Sequence, residues 1–159
     1  MSWDAHVDCL LSKVAKRFCC LRHLVHAGVK ESDITTIYCS IIRSLLEYAC
    51  PVWHPGLTKK LSNKIEHVQK RFLKMVFPTL DYSAALSQAQ LERLDNRREN
   101  LVRKLFDQIK QPNYILHKLL PPEKLPMPSL RSQYPYEIPI VKKTRFGRDF
   151  IPYCILKRY

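Results

Sequence analysis

Between Lys60 and Met75 the chain carries two interleaved series with one spacing. Leu61, Ile65, Val68, Phe72 and Met75 recur at intervals of 4, 3, 4 and 3. Lys60, Lys64, His67, Arg71 and Lys74 recur at the same intervals, one residue earlier. A strand alternates every second residue and cannot satisfy this pattern, whereas a 3.6-residue period sets the two series on adjoining faces of one helix. The apolar face needs a core to pack against. Beside it runs a row of positive charge about 20 Å long.

The same periodicity extends upstream. Val7, Leu11, Val14, Phe18, Leu21 and Val25 hold a 4-3-4-3-4 spacing, which predicts a helix from about Trp3 to Ala27, with Gly28 as its stop. Ser32 or Asp33 is placed to cap a second helix carrying Ile34, Ile37, Ile41, Leu45 and Tyr48, ended by Pro51. Two prolines and a glycine predict an ordered loop over residues 51–56. Thr58 opens the third helix, which ends before Pro78. Short connections between three helices predict an up-down-up bundle filling a first domain, residues 1–77.

A helical extension is expected over residues 78–120. Ser83 to Gln90 forms a short helix. A longer one runs from Leu91 or Glu92 to Gln111, with Leu94, Leu101, Leu105 and Ile109 on one face, and Tyr114 to Leu120 adds one or two turns. From residue 121 the texture changes: eight of the 11 prolines fall between Pro112 and Pro152. That density predicts an extended, proline-rich arm over 121–159, too apolar for a simple disordered linker. The expected fold class is all-α.

The chain has 159 residues, 46% of them hydrophobic, enough for a core. Its formal charge is +13, with 27 Lys and Arg against 14 Asp and Glu, which points to a polyanionic partner, nucleic acid rather than a membrane surface. No apolar run approaches the roughly 18 residues of a membrane span. The first eight residues carry Asp4 and Asp8 and no basic cluster, so no secretory signal is expected. Six cysteines without C-x-x-C spacing are expected to be free thiols in a reducing compartment and without zinc, most of them small core or boundary residues on helices. No directly adjacent carboxylates, glycine-rich phosphate loop or nucleophile motif is present, so no catalytic residue, metal or cofactor is expected.

Basic residues carry the functional signal instead. Six cations on the third helix (Lys59, Lys60, Lys64, Lys70, Arg71, Lys74) face a single acid, Glu66. Lys60, Lys64, His67, Arg71 and Lys74 are therefore candidate nucleic-acid contacts, with Lys70 beside them and Lys13 and Arg17 on the first helix. Arg93, Arg97, Arg98, Arg103 and Lys104 read equally well as phosphate contacts or as a solvated face with pairs such as Glu99–Arg103. Arg98 falls near the apolar seam, where an internal partner such as Asp95 or Glu99 is expected. Trp53, between Pro51 and Pro55, either stacks on a base or plugs the end of the bundle.

The motifs also have a familiar order. Ser2-Trp3-Asp4-Ala5-His6, then Leu45-Leu46-Glu47-Tyr48-Ala49-Cys50-Pro51-Val52-Trp53, then Val68-Gln69-Lys70-Arg71-Phe72-Leu73, then Leu94-Asp95-Asn96-Arg97-Arg98, and finally Thr144 to Pro152 follow one another. In this the chain resembles the segment after the polymerase palm in non-LTR (LINE-type, jockey-like) retrotransposon reverse transcriptases. The resemblance implies that residues 1–77 correspond to the thumb, a bundle that packs on the template-primer duplex, and that the remainder is a carboxy-terminal extension. In that family palm aspartates in a Tyr-Ala-Asp-Asp turn do the chemistry, and they have no counterpart here. A non-catalytic fragment is therefore expected, without fingers, palm or endonuclease. It would bind RNA–DNA hybrid or duplex with low sequence specificity, in the nucleus or a cytoplasmic ribonucleoprotein. Alternative expectations are a protein-interaction module that docks on a palm in trans or self-associates through its first helix, and an inert truncated element product.

Overall fold

The computed structural model describes residues 3–123, 136–137 and 146–159. Among them the fold is all-α. The chain divides into two compact units, one of residues Met1–Cys50 and Leu57–Arg98, the other of Pro51–Gly56 and Glu99–Tyr159. These do not follow the expected boundaries at 77 and 120. Residues 78–98 belong with the bundle, and the Pro51–Gly56 segment belongs with the C-terminal half.

In the first unit, α1 (Asp4–His26) packs on α2 (Glu31–Tyr38) and on α5 (Lys59–Val76). Val7, Leu10, Val14, Phe18 and Leu21 are buried, with Leu10 rather than Leu11 in the core. These five side chains pack inside the bundle. Gly28, at φ +72, closes α1 with the paired bonds of a Schellman cap: its N–H reaches Val25 O (3.1 Å), and that of Val29 reaches Leu24 O (3.2 Å).

The second rod differs from its expected seam. After α2 the backbone widens into a π-turn over Cys39–Arg43 and resumes as α3 (Ser44–Glu47). The buried residues are Ile34, Tyr38, Ile42, Leu46 and Cys50, spaced four apart, while Ile41 and Tyr48 face outward. Each step of four overshoots an α-turn by roughly 40°, and the wider π-turn takes up the drift. Hydroxyls supply a local cause. Thr35, Thr36, Ser40 and Ser44 each donate to the carbonyl four residues back, a bond that competes with the helical ladder and bends it. The rod stops at Ala49, φ +50, before Pro51. Residues 51–56 are not a plain loop: Cys50–Trp53 forms a turn of helix, α4, followed by a 3-10 turn at His54–Gly56. Pro51 fits because it falls in a first turn, where no backbone N–H is needed.

Thr58 caps α5 by accepting from Leu61 N (3.3 Å), as the sequence predicts. Leu61, Ile65, Val68 and Phe72 are buried, joined by Leu73 and Val76, while Met75 is only half-buried. The Tyr38 and Phe72 rings stack at 3.9 Å and fix α2 on α5. The helix α6 (Tyr82–Gln88) is capped by Asp81 and folds back on α5, with Ala85 buried.

The helix α7 (Leu94–Ile109) runs through the division between units. Its buried line is Leu94, Arg98, Val102, Phe106 and Ile109, so Leu101 and Leu105 yield the core to their neighbours. In the second unit Val102, Phe106, Tyr136, Cys154 and Ile155 form the core. An antiparallel bridge joins Glu123 to Tyr136. The expected extended arm is partly helical: a 3-10 turn at Phe146–Arg148 leads into α8 (Phe150–Leu156). Pro152 is tolerated as the third residue of α8, because the first intrahelical bond runs from Tyr153 N to Asp149 O. The rest of the expected arm, residues 124–135 and 138–145, lies outside the described residues.

Candidate nucleic-acid interface

Helix α5 exposes its cations because its apolar residues leave them no other face. Lys60, Lys64, His67, Arg71 and Lys74 are all exposed along one line of the helix. At 1.5 Å per residue the line is about 21 Å long. Three members are held in place by neighbours. The Arg71 guanidinium lies over the Phe18 ring of α1, 5.1 Å from its centroid. Lys64 Nζ pairs with Asp8 Oδ1 at 3.0 Å. Lys74 Nζ donates to the Pro78 carbonyl at 2.6 Å. The cation–π contact pre-orders Arg71, which remains exposed to solvent.

Two hollows flank the row. One, about 550 Å³, lies between α1 and α5, with Leu11, Val14 and Phe18 on one side and Lys60, Lys64 and Arg71 on the other. The second, about 800 Å³, lies between the end of α5 and α6, with Leu73, Met75, Leu80 and Ala85 as its apolar surfaces. His67 and Arg71 border both. Lys70 belongs to the second hollow, its ammonium 5.2 Å from the Tyr82 ring centroid. Among the described residues, Asp81 supplies the one acid at that hollow. A hydrogen bond from the Ser83 hydroxyl holds its carboxyl below its ordinary carboxylate pKa.

The other expected site residues fall elsewhere. Lys13 is exposed on α1 and lines neither hollow. Arg17 is exposed but donates to the Ile41 carbonyl at 2.8 Å, which ties α1 to the π-turn. Trp53 is 1% exposed, so its ring offers no face to a base and the stacking alternative is corrected. On α7, Arg93 pairs with Asp95 (3.0 Å) and Arg97 with Glu47. Arg98 is fully buried, and its Nη2 donates to Ser62 Oγ at 2.9 Å. Burial lowers the Arg98 pKa, while the Glu66 and Asp95 charges oppose that effect. Arg97 and Arg98 thus tie α7 to Glu47 and to Ser62 of α5, while the Arg93 pair is local and exposed.

Tyr82 and the Phe18 support are not marked by any spacing in the sequence; they stand beside the row only once α1 and α6 pack on α5. A polar chain behind the row also emerged only with the fold. Tyr38 donates to Gln69 Oε1 (3.1 Å), Gln69 Nε2 donates to the Glu92 carbonyl (2.8 Å), and Tyr82 donates to Glu66. It satisfies buried Gln69 and fixes the angle of α6.

The cysteines divide by position. Cys50 and Cys154 are buried, Cys39 is half-buried, and Cys9, Cys19 and Cys20 are exposed rather than core or boundary residues; all six are free. Among the described residues no group of three or more His, Cys, Asp or Glu is placed to hold a metal. No helix among them is long and apolar enough to cross a membrane. No protein family, curated protein or solved structure matches the chain.

Proposed function

We propose that the chain is a non-catalytic, thumb-like module of a non-LTR retrotransposon reverse transcriptase, which binds the backbone of an RNA–DNA hybrid or other duplex. The observation that carries this reading is the exposed α5 row, five basic side chains on one line with no acid of their own helix among them. Phosphate contacts of this kind position a duplex without reading its bases. The order of motifs along the chain supports the retrotransposon origin.

The test is fluorescence anisotropy of the purified chain on a short blunt RNA–DNA hybrid across a salt series. Replacing Lys60, Lys64, Arg71 and Lys74 together by Ala is expected to flatten the slope of log affinity against log salt by roughly 3 to 4 units. An unchanged slope would remove the row from the interface. A second reading, a protein-interaction module, draws on the exposed Ile115 (80%) and Leu119 (57%) of the second unit. It predicts concentration-dependent sedimentation without nucleic acid, and a monomer at every concentration would exclude self-association.

A further inference from the structure

We infer that the hollow between α5 and α6 is a pocket for an unpaired nucleobase whose phosphate lies on the α5 row. The chain then prefers nucleic acid with a single-stranded end over continuous duplex. This rests on the backbone reading above and adds to it a second part of the ligand.

Shape and composition argue for it. The hollow, about 800 Å³, exceeds what a lone phosphate needs, and a backbone already satisfied by the row leaves it empty. Its floor is apolar, with Leu73 and Ala85 buried beneath the half-buried Met75 and the partly exposed Leu80. Water held against such a floor is readily displaced by a flat apolar body. Tyr82 adds an aromatic ring to the wall.

Charge narrows the occupant. Lys70, Arg71 and Lys74 stand at the hollow, with His67, against the single carboxylate of Asp81. A neutral apolar ligand would leave these cations without counter-charge. A nucleotide supplies both halves, a planar base for the floor and a phosphate for the rim. A base stacked inside a duplex cannot reach the floor, because its neighbours cover both of its faces. An unpaired one can, and aromatic or apolar platforms take unpaired bases with little regard to sequence.

The experiment compares three ligands on the full chain: the blunt hybrid, the same hybrid with an overhang of a few nucleotides, and the same overhang made abasic. The abasic overhang carries the same phosphates, so it removes the base alone. The expected result is at least about a fivefold gain for the base-bearing overhang over the abasic one, the low end of one stacked base. Leu80→Ser, at a partly exposed position, is expected to remove that gain while leaving affinity for the blunt hybrid unchanged. Equal binding of the two overhangs, or a gain that survives Leu80→Ser, would overturn the pocket and leave the backbone reading standing. Failure of all three ligands to bind at low salt would overturn both.

Discussion

Asp8 is the residue that most directly limits the row. It sits on α1, yet its carboxylate pairs with Lys64 at 3.0 Å, so a phosphate at Lys64 must compete with it. Both side chains are well exposed, and such a pair contributes at most about 1 kcal/mol to stability. Asp8→Asn is therefore expected to leave the urea midpoint nearly unchanged and to tighten hybrid binding about two- to fivefold at low salt. Weaker or unchanged binding would place the ligand away from Lys64. The sequence made Lys64 legible as a cation on the right face, because helical spacing alone fixes that. It could not show Asp8 as a partner 56 residues away, nor Phe18 as the platform beneath Arg71. Arg98 was half-legible: its place near the seam said internal, but only the approach of α5 brings Ser62 to its guanidinium.

At the scale of elements, the helices whose caps and period agree were readable, and those with competing local bonds were not. The sequence located α5 to within a residue at each end, because Thr58 and Pro78 bracket an uninterrupted pattern. The second rod kept its place but changed its face, since four back-bonding hydroxyls and a π-turn shifted the seam from Ile37 and Ile41 to Tyr38 and Ile42. Helix ends carry a testable asymmetry. Gly28, Gln90 and Arg158 all take the left-handed conformation after a helix, at φ +72, +53 and +58. Gly28 does so without strain, whereas a residue with a Cβ at such a cap is disfavoured by about 1 kcal/mol or more. Gln90→Gly is expected to raise stability by about 0.5–1 kcal/mol in urea unfolding. Gly28→Ala is expected to lower it by a similar amount, for no atom stands within 4 Å of its missing Cβ and only the backbone conformation resists. A clasp in the second unit responds to acid. Glu99 accepts from His54 (2.7 Å) and from Tyr153 (2.9 Å), and Lys157 lies 3.6 Å away. Burial raises the Glu99 pKa, but the bonds from His54 and Tyr153 outweigh it, so the carboxyl titrates below its ordinary 4.5. A depressed folded pKa contributes stability above the unfolded value, and that contribution is lost as pH falls through the folded one. The thermal unfolding midpoint is thus expected to fall below about pH 4.5. Glu99→Gln should flatten that part of the profile; an unaltered profile would deny the clasp its role.

Across the whole molecule, the two compact units each carry one buried thiol, Cys50 in the first and Cys154 in the second. Burial pushes both up to about 12, so in the native state each is shielded from reagent and held almost wholly as the unreactive thiol. Cys9, Cys19 and Cys20 are exposed on α1 and lack that protection. Alkylation at pH 8 followed by peptide mass mapping is therefore expected to label those three promptly, and Cys50 and Cys154 at least about a hundredfold more slowly. The slow sites report opening of the unit that holds them, because a thiol reacts only when its surroundings part. The charge row lies wholly on the first unit, as do both hollows. A ligand that binds there and not to the unfolded chain must stabilise that unit by mass action. Saturating hybrid is thus expected to slow labelling of Cys50, and the quadruple Ala variant to lose that protection. Protection of Cys154 with none at Cys50 would put the nucleic acid on the second unit and remove α5 as its site.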